Sequence, residues 1–106
     1  MHPDFLRNIV NPALSKHVKV KEGLKNSIDE IRRLVFDAEN KYKFSIYNGD
    51  PANLAKYLVS DDFKLVVDLF KSSEALDALE EILLEAKTKY RDIPVVVEAV
   101  DKVLEQ

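Results

Sequence analysis

The residues with chemistry to offer are few and scattered. The only histidines are His2 and His17, and cysteine is absent. A metal site needs His, Cys or carboxylate ligands that converge from helix or loop spacing. His17 instead lies in a lysine-rich stretch that would repel a cation, so neither a metal nor any other cofactor is expected. Asp61-Asp62 and Glu80-Glu81 are carboxylate pairs. Acid–base catalysis often uses two carboxyls, but adjacent helical residues diverge by about 100° and cannot easily share one reacting atom. Asp61 and Asp62 suit the first turn of a helix, and Glu80-Glu81 suits a solvated face. Asn48-Gly49-Asp50-Pro51 has one glycine, too few backbone donors for a phosphate cradle and the wrong charge beside them; it is a turn. With no nucleophile, base or metal set in view, the chain is expected to be non-enzymatic.

Binding is the chemistry that remains. Lys16, Lys19, Lys21 and Lys25 form the one basic concentration, helped by His17 and Arg7, and they are the candidates for phosphate contact. Tyr42, Phe44 and Tyr47 nearby are candidates for stacking on bases. Residues 1–57 carry ten Lys/Arg against seven Asp/Glu, and residues 58–106 carry six against twelve. A small basic half thus adjoins a strongly acidic one. Leu84 and Val95 lie off the apolar arcs of their helices, and with Glu80 and Glu81 they are the candidates for contact with a protein partner. The expected function is a protein–protein interaction or assembly subunit, with a protein partner or self-association into an oligomer. One alternative is an accessory subunit of a nucleoprotein complex that contacts nucleic acid through Lys16–Lys25. A further alternative is an inhibitor or immunity-type protein that uses the acidic C-terminal hairpin. No apolar run approaches the roughly 18 residues of a membrane span, and the N-terminal residues lack a signal-peptide pattern, so no membrane partner and a cytoplasmic location are expected.

The elements that must position these residues are helical. Leu24, Ile28, Ile31, Val35, Ala38 and Tyr42 recur at spacings of four and three, one apolar face of a helix over 27–42. Asp29, Arg33, Asp37 and Lys41 share its other face, and Ser27 with Glu30 has the form of a capping box. Before it, Pro3 opens a short helix, Asn11-Pro12 a second, and Gly23 is expected to end the second in the left-handed conformation. Pro51 opens a short helix that turns Leu54, Ala55, Leu58 and Val59 inward. Phe63 to Lys71 is apolar on two sides, with Leu65 and Leu69 opposite Phe63, Val66 and Phe70, which predicts a central helix buried on both faces. Ser72-Ser73 and Asp92 are expected to cap the last two helices, the first turning Ala75, Leu76, Leu79, Ile82, Leu83, Ala86 and Tyr90 inward, and the two form an antiparallel hairpin over 73–105. The fold class is therefore all-α: residues 1–106 form a single helical domain, a compact bundle of five to seven helices. The alternating runs at 16–21, 43–47 and 63–67, with Val95-Val96-Val97, leave room for a single short β-hairpin.

Overall fold

The computed structural model describes residues 2–106; Met1, which opens the N-terminal reading above, lies outside them. Seven α-helices follow in order: α1 (Asn11–His17), α2 (Glu22–Lys25), α3 (Ile28–Tyr42), α4 (Leu54–Leu58), α5 (Asp61–Ser72), α6 (Leu76–Lys89) and α7 (Pro94–Leu104). A π-helical segment (Phe5–Val10) precedes α1 and a 3-10 turn (Pro51–Asn53) precedes α4. No strand occurs among the described residues, so the β-hairpin is absent. Two of the alternating runs resolve by another rule. Phe63–Val67 follows the Ser60 cap into α5, and Val96 and Val100 reach the core from α7 at helical spacing.

The chain does not break at Asn11-Pro12. Both residues continue a helical path that begins at Phe5, and Asn11 N–H donates to the Leu6 carbonyl, one residue further back than in an α-helix. Pro12 explains the widening. It has no N–H, and its ring would collide with the carbonyl four residues earlier, so the preceding turn opens to the π spacing.

The apolar stripe on α3 is covered within the chain. Leu24, Ile31, Val35 and Ala38 are buried, with Ile28 and Tyr42 partly so. The N-terminal π segment, α4 and α5 pack on α3, while α6 packs on α1, α5 and α7. An aromatic cluster joins these layers. Phe44 stacks on Tyr57 at 5.5 Å, with Phe5 edge-on to Phe44 at 6.0 Å and Phe63 edge-on to Tyr57 at 5.2 Å. α6 and α7 form the expected C-terminal hairpin around a link at residues 90–93.

Several local expectations fail for tertiary reasons. Gly23 does not end a helix and has no positive φ; it lies inside α2, where a Cβ would come within 2.9 Å of the Ser73 carbonyl oxygen. Ser27 does not build a capping box, because its backbone is already helical and its hydroxyl accepts from Ser73 Oγ at 2.9 Å. α5 fully buries one face only: Phe63, Val66 and Phe70 are in the core, while Leu65 is exposed and Leu69 half-buried. Ser73 ends α5 rather than starting α6, with Glu74 left-handed at φ 56° between them. Asp92 caps nothing in α7, and its carboxylate instead holds His2 Nε2 at 2.8 Å.

Candidate interaction surfaces

The basic segment and the acidic helix are one surface. Lys16 Nζ lies 2.8 Å from Glu81 Oε1, and His17 Nε2 lies 3.2 Å from Glu81 Oε2. Lys21 Nζ reaches Asp77 at 3.3 Å, and Lys25 pairs with Glu22 at 3.2 Å. α1 packs on α6, which is why cations from residues 16–21 meet anions some 60 positions later. The Lys16 ammonium is the main reason that the Glu81 carboxyl is held below its usual range; partial burial opposes it and His17 adds to it. Of the four candidate lysines, Lys19 alone forms no ion pair among the described residues. The stacking candidates are likewise engaged. Phe44 is buried, and the Tyr42 hydroxyl donates to Asp62 at 2.7 Å. Tyr47 is exposed, and its hydroxyl accepts from the Arg7 guanidinium at 3.3 Å.

Asp61 and Asp62 occupy the first turn of α5, as their types suggested, while Ser60 supplies the cap by accepting from Phe63 N–H. Asp62 also ties α5 to α3. Lys41 Nζ lies 2.8 Å from it, and the Lys41 and Tyr42 hydrogen bonds together hold its carboxyl below the usual range.

Leu84 and Val95 are both half-exposed, but they belong to different surfaces. Leu84 rises from the outer face of α6 beside Glu80, Glu81 and Thr88. Glu80 forms no ion pair among the described residues, whereas Glu81 does. Val95 lines a groove of about 430 Å³ between α4 and α7. Val59 lines the same groove, with Ala52, Ala55 and Ala99 completing its apolar wall and Lys56, Glu98 and Lys102 at its polar edge. Val59 is 53% exposed and Val95 49%. Val59 was expected to point inward, yet it sits past the last turn of α4, where the chain has left the helical path and the apolar period no longer applies.

One buried polar group was not foreseen. Asp4 is 4% exposed; its Oδ2 accepts from Arg7 N–H at 3.1 Å, while Oδ1 has no partner. Burial, followed by the neighbouring Asp4 carboxyl, pushes the Glu39 carboxyl on α3 up from its usual range. Neither residue lines the α4–α7 groove, the Leu84 surface or the cleft beside Lys16, so the pair has no opening of that kind to a substrate. The only sequence signal for it was an aspartate just before a run of apolar residues, which is also the signal of an ordinary cap. Among the described residues no group of three or more His, Cys, Asp or Glu is placed to hold a metal ion, and no helix is long and apolar enough to cross a membrane. No family model matches the chain, and neither the curated proteins nor the solved structures provide a match.

Proposed function

We propose that the protein is a non-enzymatic interaction or assembly subunit that docks an apolar, carboxylate-flanked helix of a protein partner between α4 and α7. The observation that carries this reading is the groove itself. Two valines, each about half exposed, stand over a wall of alanines on the surface, and small residues let a partner backbone approach closely. Covering such side chains contributes about 25 cal/mol per Å² of apolar surface removed from water. Lys56 and Lys102 form no ion pair among the described residues, and against Glu98 they leave the rim with an excess of positive charge. Such a rim favours a helix carrying Asp or Glu beside its apolar face.

The two rival readings draw on residues that are already engaged with each other. A polyanion at Lys16, Lys21 and Lys25 would meet the charge of Glu81, Asp77 and Glu22 as well. An inhibitor-like use of the acidic hairpin would find Glu81 and Asp77 paired in the same way. The test is site-specific photo-crosslinking in extracts of the source cells, with the probe at position 59, 95 or 19. Positions 59 and 95 are expected to give the same protein adduct and position 19 to give none. Absence of an adduct at 59 and 95, or nucleic acid trapped at 19, overturns the proposal.

A further inference from the structure

The geometry points to a second copy of this chain as the occupant of the groove, held head to tail through the outer ridge of α6. This deepens the reading just given and rests on the α4–α7 groove being a docking site.

The ridge has the chemistry that the groove selects. Leu76 and Leu84 are both half-exposed on α6, and eight residues at 1.5 Å each place them roughly 12 Å apart along the helix. Glu80 lies midway between them on the same face, at four-residue spacing from each, and it forms no ion pair among the described residues. An apolar–acidic–apolar ridge therefore stands on one side of the molecule. On another, the groove offers apolar side chains from Val59 and Val95 with Lys56 and Lys102 at its edge. No residue lines both surfaces, so one chain can present its ridge while its groove receives another. The groove's unpaired charges, Lys56 and Lys102 against Glu98, are net positive, and the ridge's, Glu80, is negative. Seating Glu80 between Lys56 and Lys102 would give each a partner that it lacks within its own chain.

The contact is heterologous: the ridge of one copy meets the groove of the next, and the free groove and ridge at the two ends can add further copies. It requires both surfaces, and this separates it from a two-fold dimer built on either one alone.

Sedimentation velocity from micromolar to millimolar protein tests it. The mass of the wild type is expected to rise with concentration and to fall back at high salt. Leu84→Glu removes the ridge and Val95→Glu the groove. Each is expected to weaken association roughly thirtyfold or more, the size of an interface hot spot. An equimolar mixture of the two variants is expected to restore a complex that stops at two chains, because one intact groove and one intact ridge remain. Circular dichroism reports whether each variant folds. Should either fail to fold, Glu80→Lys and Lys102→Glu replace them: each alone weakens association, and mixing restores it. A wild type that stays monomeric throughout, or variants that do not complement, overturns the inference. If the wild type is monomeric but positions 59 and 95 crosslink to a different protein, self-association falls and the proposed function stands. If no adduct forms either, both fall.

Discussion

Tyr57→Phe is expected to stabilise the protein. Tyr57 is 1% exposed, packed against Tyr42, Phe44 and Phe63 at ring-centroid distances of 5.2–5.5 Å, and its hydroxyl is buried without a hydrogen-bond partner. Tyr42 rather than Tyr57 is the phenol that donates to Asp62. Ionisation offers no escape: burial first, and then the negative charge of Asp62, push the Tyr57 phenol far up, so it remains a donor with nothing to donate to. A buried polar group left unsatisfied costs about 1–3 kcal/mol. Phenylalanine keeps the ring and all its contacts while deleting the oxygen. The void left behind, on the order of 10–15 Å³, costs about 0.3 kcal/mol at the usual cavity coefficient. The net gain is therefore about 0.7 kcal/mol at the low end, or roughly 3–6 °C in Tm for a domain near this size. Urea and thermal denaturation followed by circular dichroism measure it, with an unchanged m-value confirming that the native and unfolded states keep their compactness. Tyr42→Phe serves as the control of opposite sign, since it deletes a hydroxyl that bonds Asp62 at 2.7 Å and should lower stability. A loss of stability in Tyr57→Phe would refute the reasoning, because it would mean the hydroxyl is bonded in solution.

Two further perturbations probe the loop and the Glu39 carboxyl. Gly49→Ala should destabilise by about 3 kcal/mol in the same urea assay, because its Cβ would lie 2.1 Å from the Lys43 carbonyl oxygen, which accepts from both Asp50 N–H and Asn53 Nδ2; a change under about 1 kcal/mol would show that this loop yields freely. Glu39→Gln should raise stability at neutral pH and lose its advantage in acid. Burial and Asp4 raise the native pKa of Glu39 above its ordinary 4.5, so its ionisable carboxyl favours the folded state below 4.5, and this favour is lost as pH rises through the native value. Glu81 has the opposite sign: chiefly because of Lys16 its native pKa is lowered, so its contribution is present at neutral pH and is lost as pH falls through that value. Stability profiles of wild type and Glu39→Gln against pH should therefore diverge above 4.5 and run together below it, and parallel profiles throughout would contradict the assignment.

What the sequence made legible was whatever repeats along one helix. Ile31, Val35 and Ala38 follow the 3.6-residue period of α3, and all are buried. Leu84 and Val95 broke the period of their own helices and are half-exposed for the same reason, whereas Leu76 and Val59 kept the period and are half-exposed too, each at the end of its helix. Features decided by a distant residue were not legible. Gly23 resembles a helix terminator, but its role is to admit the Ser73 carbonyl; Ser27 resembles a cap, but its hydroxyl meets a serine 46 positions away. Lys43 and Glu74 take left-handed conformations that the sequence would assign to glycine or asparagine. Charge was the least legible of all. Lys16 and Lys21 form a basic cluster by their own spacing, yet Glu81 and Asp77 lie beside them in space, so the two candidate charged surfaces merge into one that is internally paired. An apolar side chain that fails to find the core remains exposed whatever packs elsewhere, whereas a surface charge changes its meaning with the first opposite charge the fold brings near. For a helical chain of this size, the residues that break an apolar period are therefore better guides to a docking surface than the residues that cluster in charge. That ordering is why Val95 and Leu84, rather than Lys16–Lys25, carry the proposals made for this protein, with Val59 added only by the way α4 ends.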